Sequence, residues 1–300
     1  MPKLVNLGSV CVDHVYRVRA LAGAGETVSS TSHQTFPGGK GLNQSLAAAK
    51  AGASVHHVGC VGEDGAFLRQ VLIDAGVDVT GLRTVAEAVS GHAVIQVNER
   101  GENAIVIAGG ANRCITLDDL NAAKGLLAPG DWLLLQNEIN DLPAALALAR
   151  DTGARTVFNL APVDGRETDY DLGGVDLLIV NEIESRALVP ASIAAKEDAA
   201  VACWLADKHP GLDVVLTAGG EGLVHAGAGG IVSVPAFPVE PVDETAAGDA
   251  FIGYLLAGLL EGMEMADALR LGSAAGALAV TRAGAATSIP DRNAVLAQAG

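Results

Sequence analysis

The residues best suited to chemistry lie in Asp243-Glu-Thr-Ala-Ala-Gly-Asp249-Ala-Phe-Ile-Gly253, where a turn of small and polar residues runs into an apolar helix. A helix that begins this way leaves several N–H groups unpaired in its first turn, and its dipole favours an anion there. The turn is therefore a seat for phosphate. Asp249, at the mouth of that seat, would repel a phosphate unless it has another task. Taking a proton from a hydroxyl, while neighbouring amides hold the phosphoryl group under attack, is the task that fits. Asp is also a preferred helix cap, so the segment alone leaves cap and base open.

A second stretch, Phe36-Pro-Gly38-Gly39-Lys40-Gly41-Leu-Asn43, crowds three glycines ahead of a run of strong helix formers that stops at Gly52. It lacks the spacing of a Walker A loop and of a dinucleotide fingerprint. Ordering so many glycines is entropically costly, which points to close approach of a ligand rather than a slack connector. Asp13 follows the first apolar run, where a turn or edge-strand charge is the plain alternative to a binding role.

These residues need a frame. Leu4 to Ser9 and Val55 to Gly62 read as buried strands, and Asp64 to Gly76 as a helix. Val10 to Val18 alternates, and 90–97 and 103–108 are alternating or apolar runs joined by a hairpin turn; with the segment before Gly38 they could make a second, smaller sheet. From Leu120 onward helices and strands alternate: strands over 132–136, 156–160, 177–180 and 214–217, helices over 142–150 and 192–206. That pattern predicts βαβ units and a parallel sheet covered on both faces. Gly222 to Pro235 reads as an antiparallel edge hairpin. Two Ala- and Gly-rich helices follow, from Ala250 and from Met265, whose small residues suit either close packing or a flat ligand such as a purine. Several strands end in polar residues, among them Glu138, Asn159, Asn181 and Thr217. The ligand crevice of an open α/β sheet lies at such ends. Asn181 and Glu184 suit helix caps and also a water-ligated Mg²⁺.

The chain carries 19 basic against 35 acidic residues, a formal net charge of −16, and only 3% aromatics, which disfavours nucleic acid and anionic membranes as partners. The four cysteines lie far apart, with neither zinc-site nor disulfide spacing. No apolar run approaches the ~18 residues of a membrane span, and the first residues show no signal-peptide core, so a cytoplasmic protein is expected.

Gly8-Ser-Val-Cys-Val-Asp13, Gly38-Gly-Lys-Gly-Leu-Asn43, Asn181-Glu-Ile-Glu184 and Asp243-Glu-Thr-Ala-Ala-Gly-Asp249, in that order, resemble the ribokinase-like (phosphofructokinase B-type) family of carbohydrate kinases, and its ribokinase branch most closely. The resemblance spans essentially the whole chain. It implies one kinase domain over 1–300, a three-layer α/β/α sandwich with a mostly parallel sheet, and a lid built from about 10–37 and 89–109. It implies sugar contacts at Asp13, Gly39, Lys40, Asn43 and Glu138, with Asp249 as base and Ala246, Ala247 and Gly248 as anion hole. ATP would meet Asn181, Thr217, Gly219, Gly222 and Ser273, with Mg²⁺ near Asn181 and Glu184. A monovalent cation, typically K⁺, would lie at Asp243, Thr245, Ala279, Arg282, Gly284 and Ser288, and two copies would pair through their lids.

One position departs from the pattern: Cys11 stands where ribokinases carry Asn, which relaxes or redirects the sugar preference. The expected activity is ATP-dependent phosphorylation of a primary hydroxyl on a small sugar, ribose or a related pentose. The alternatives are a nucleoside kinase and a non-catalytic sugar sensor.

Overall fold

The computed structural model describes residues 2–300. The chain opens with β1 (Leu4–Leu7), leaves the main sheet for β2 (Cys11–Val18) and β3 (Ser30–Gly38), and returns through α1 (Lys40–Lys50) to β4 (Val55–Gly62). After α2 (Ala66–Asp74) and β5 (Leu82–Val85) comes a second excursion, the hairpin of β6 (Gly91–Val97) and β7 (Asn103–Ala108). Next are α3 (Leu117–Leu126), β8 (Trp132–Gln136), α4 (Leu142–Leu146), β9 (Arg155–Asn159), β10 (Leu177–Asn181), α5 (Glu182–Ala187), α6 (Ala191–Ala194), α7 (Asp198–Lys208) and β11 (Asp213–Thr217). The hairpin β12 (Leu223–Gly227) and β13 (Gly230–Val234) precedes α8 (Ala247–Leu260), α9 (Met265–Ala279) and α10 (Arg292–Ala299).

Nine strands form one sheet in the order β13-β12-β11-β10-β9-β8-β1-β4-β5, parallel except for the two pairings of β12. Alternate residues of its strands feed two cores: Leu177, Ile179 and Val215 pack on one side, Leu178, Val180 and Leu216 on the other. Burial on both faces explains why these strands read as continuous apolar runs. The small sheet, β3-β2-β6-β7, forms from the two excursions; β2 pairs β3 antiparallel but β6 in parallel.

Four elements depart from the sequence expectation. The helix expected over 192–206 is broken into α6 and α7, because only α7 buries a stripe (Val201, Ala202, Leu205) and α6 buries nothing. Past Leu146, bonds such as Leu148 N to the Ala145 carbonyl tighten the chain to three-residue turns, so the helix expected to Arg150 ends early. Strand β5 and helix α10 were not anticipated. The small residues of the last helices serve packing: a Cβ on Gly272 would lie 2.8 Å from the Phe251 carbonyl oxygen, and one on Gly253 2.4 Å from the Ala47 Cβ.

Candidate active site

Strand order turns about β1: the chain adds β4 and β5 on one side of it, then β8 on the other. At the carboxyl ends of the strands beside that point lies a cavity of about 410 Å³, the position where open α/β sheets bind ligands. One wall is the start of α8. Its N-cap is Ala246 in the left-handed conformation (φ 61°), strained for a residue with a Cβ. Ala247 N–H turns back to the Glu244 carbonyl at 3.3 Å, leaving Gly248 and Asp249 N–H without an intrahelical acceptor.

Asp249 is the third residue of α8, and no side chain caps this helix, so the capping alternative falls. Its carboxylate turns instead to α1. Oδ2 accepts from Asn43 Nδ2 at 2.9 Å and Oδ1 from Gln44 Nε2 at 2.8 Å.

The opposite wall is made where the small sheet meets α1. A Cβ on Gly38 would lie 2.1 Å from the Asp13 carboxyl, and one on Gly41 2.5 Å from the Ser9 nitrogen. The glycines therefore let α1 start directly against the β1–β2 crossing. That start brings Lys40 and Asn43 to the cavity beside Asp13 and Glu138. Glu138 accepts from the Lys40 backbone N–H at 3.0 Å and from the Ser9 hydroxyl. Burial first, then the charges of Glu138 and Asp249, push Asp13 up to about 7. Burial by itself would depress the Lys40 ammonium; the carboxylates of Asp249, Glu138 and Glu184 outweigh it and hold it above its ordinary value. Asn43 Oδ1 is buried without a partner among the described residues, an acceptor that a ligand hydroxyl would satisfy.

The far end of the cavity is lined by Asn181, Glu184 and Thr217. Asn181 and Glu184 form a capping box on α5: Asn181 Oδ1 accepts from Glu184 N–H, and Glu184 Oε2 from Asn181 N–H, each at 2.9 Å. Burial raises the Glu184 carboxyl above its usual range. Each oxygen keeps a lone pair, so the pair fits a hydrated Mg²⁺ reached through water. Gly219 and Gly222 sit in the turn after β11 and Ser273 on α9, all outside the cavity lining. Sequence reasoning missed Glu244, Phe251, Ile252 and Ala285, which also line it. Ile252 could have been found, since it lies one helical turn from Asp249 on the same face.

Comparison with known proteins bears on this arrangement. The profile of the pfkB family carbohydrate kinases matches residues 1–292. The chain belongs to that family. It is 34% identical to the ribokinase of Haemophilus influenzae over 297 residues, covering 98% of this chain and 97% of that one. Its fold superimposes on Thermotoga maritima ribokinase with a TM-score of 0.88 at 31% identity, covering 99% of each chain. Arabidopsis thaliana ribokinase, solved with ribose and ATP, gives 0.87 at 30% identity, covering 99% of this chain and 98% of that one.

Neither Cys11 nor Asp243 lines the cavity, although Thr245 and Ala285 near Asp243 do. Cys11 shares a face of β2 with Asp13, but its thiol is buried against Asn112 Nδ2 at 3.3 Å. Burial, then Glu138 and Asp13, raise it well above the usual thiol range, so it stays neutral. Beside the α8 turn, Asp243 Oδ1 accepts from Thr245 N–H at 3.0 Å and Oδ2 from Gly284 N–H at 2.9 Å, tying the turn to the 282–288 loop. Burial opposes ionisation of Asp243, but the Thr245 and Gly284 donors and Arg17 outweigh it and hold the carboxyl below its usual range. Ala279 carbonyl accepts from Arg282 N–H, and the fully buried Ser288 hydroxyl donates to the Ala285 carbonyl. The Asp243 carboxylate, which keeps lone pairs beyond these bonds, is the group here that suits a monovalent cation. Arg282 meets this region through its backbone N–H, bonded to the Ala279 carbonyl.

Proposed function

We propose that this carbohydrate kinase transfers the γ-phosphoryl group of ATP to a primary hydroxyl of a small sugar, ribose or a related pentose. One observation carries the proposal: the Asp249 carboxylate and the open amides of Gly248 and Asp249 share one cavity with Asp13, Lys40, Asn43 and Glu138. A base and an anion seat stand at one end, and a set of hydroxyl-binding groups at the other. The ribose and ATP named for the Arabidopsis relative give the first substrates to try.

In this account Asp13, Asn43 and Glu138 bind hydroxyls of the sugar, with the Gly39 and Lys40 backbone close by. Asp249 accepts the proton of the attacking hydroxyl, its two oxygens fixed by Asn43 and Gln44. Amides at the start of α8 stabilise charge that grows on the phosphoryl group, and Ala246, held left-handed, aims them. Asn181 and Thr217 bind the nucleotide, with Gly219, Gly222 and Ser273 further out toward the adenosine. Asn181 and Glu184 would hold Mg²⁺ through its water shell; when bound, the ion screens phosphate charge. Asp243, Thr245, Ala279, Arg282, Gly284 and Ser288 would hold K⁺, which orders the turn. The small sheet acts as lid to a single domain and excludes water. The enzyme works in the cytoplasm as a homodimer joined through that lid.

A nucleoside acceptor would need surface for its base. Of the two lid aromatics, Tyr16 stacks on His33 with centroids 4.4 Å apart, and three residues along a strand from Asp13 it faces the other way. A non-catalytic sugar sensor would have no use for the Asp249 arrangement. Coupled ADP release over pentoses, hexoses and nucleosides, with and without K⁺, tests the proposal. It predicts sugar-dependent ADP formation, greatest with a pentose and raised by K⁺. ADP formation greatest with a nucleoside, or none with any sugar, would overturn it.

A further inference from the structure

Beneath the cavity runs a chain of side-chain amides sealed from solvent. Asn6, Gln44 and Gln136 have no exposed surface, and Asn159 is 6% exposed. Gln44 Nε2 donates to Asp249 Oδ1 at 2.8 Å and to Asn159 Oδ1 at 3.0 Å. Its Oε1 accepts from Gln136 Nε2 at 2.7 Å. Gln136 Nε2 gives its second hydrogen to Asn6 Oδ1 at 3.0 Å. Asn6 Nδ2 in turn donates to the Gly41 carbonyl and to Ser45 Oγ, each at 2.8 Å, and Ser45 Oγ meets His57 Nδ1 at 2.9 Å.

An amide has a donor end and an acceptor end, so each contact fixes the orientation of the next. With its oxygen held by Gln136, Gln44 can present only nitrogen to Asp249 and Asn159. Burying this many polar groups is expensive, and an apolar core would be the simpler way to fill the space; of the four amides only Gln136 leaves an atom, its Oε1, without a partner among the described residues. The chain reaches the cavity at Asp249 and at Asn159, both of which line it. Gln44 itself does not line it, so its influence on a ligand passes through the residues it holds, and of these Asp249 is the one placed to take a proton.

We propose that Gln44 is a positioning residue for Asp249, and that Asn6, Gln136 and Asn159 serve to fix its amide with one N–H on Oδ1. Asn43 holds the other oxygen from the cavity side. Together the two donors set the rotation of the carboxylate and aim its remaining lone pairs. The inference rests on Asp249 being the base.

Gln44→Met keeps the length and removes both donors. In the ADP-release assay its kcat is expected to fall by about 10- to 100-fold, with KM for sugar and ATP within about threefold of wild type. Introduced into the Asp249→Asn background, the same substitution should lower the residual kcat no further, because there is no carboxylate left to aim. A Gln44 that merely supported the core would disturb its neighbour Asn43, raise the sugar KM, and multiply the loss in both backgrounds. Gln136→Met frees the oxygen end of Gln44 without touching Asp249. It should give a smaller loss in kcat at unchanged KM, and it decides the matter if Gln44→Met does not fold. Wild-type kcat in either folded variant, or losses that multiply, would overturn the inference. Near-normal kcat in Asp249→Asn alone would overturn the base assignment instead.

Discussion

Asp13 shares its cavity with Glu138 and Asp249, and this crowding of carboxylates makes its titration a probe of the site. Burial first, then Glu138 and Asp249, raise it from an ordinary 3.8 to about 7. Between those pH values the folded chain keeps a proton that the unfolded chain has lost, so this group makes stability fall as pH rises through the window. Asp13→Asn is therefore expected to melt higher than wild type at pH 8, with the difference shrinking toward zero near pH 4. Thermal melts at both pH values check this, and an equal offset at both would contradict it. The variant comparison is needed because Glu184 is shifted in the same direction. Cys11 shows how neighbours decide chemistry: enclosed by Asn112 and close to two carboxylates, it stays a neutral thiol with little to offer a sugar hydroxyl.

Among the elements, α1 and α8 matter most, since Asn43 and Gln44 on one hold Asp249 on the other. Their approach depends on Gly253, where a Cβ would lie 2.4 Å from the Ala47 Cβ and 2.6 Å from the Ala48 nitrogen. Gly253→Ala must push the helices apart, at a cost of about 1–3 kcal/mol. Urea denaturation should show a lower midpoint, with a parallel fall in kcat; an unchanged midpoint would contradict the packing argument. Much of this level was legible in sequence, because apolar runs such as that of Trp132–Gln136 and alternating ones such as Cys11–Val18 signal strands without tertiary information. Glycine spacing likewise marked the start of α1. What stayed hidden depends on partners remote in the chain. Gln44 reads as one polar residue in a helix, and only folding brings it to Asp249, Asn159 and Gln136. Whether Asp249 caps a helix or faces a cavity was likewise settled by Asn43 and Gln44, not by its own segment.

At the scale of the molecule, the small sheet leaves an apolar edge open. Ile105, Val106 and Ile107 on β7 are 50%, 69% and 57% exposed, and β7 is an edge strand with unpaired backbone groups. A second copy covering this edge is the arrangement proposed above. Light scattering should give the mass of a dimer, and Ile105→Glu with Ile107→Glu should reduce it to a monomer. A monomeric wild type would remove the dimer from the account. The main sheet and its two cores supply rigidity, and the small sheet brings Asp13 to the same cavity as Asp249. The central claim is that Asp249 takes the proton of the attacking hydroxyl in that cavity. Its most direct test is kcat for sugar-dependent ADP release by Asp249→Asn, read beside the thermal shift that the sugar produces. A loss of about 10²- to 10⁴-fold in kcat with the sugar-induced shift retained is the expected result; near-normal turnover would contradict proton transfer to Asp249.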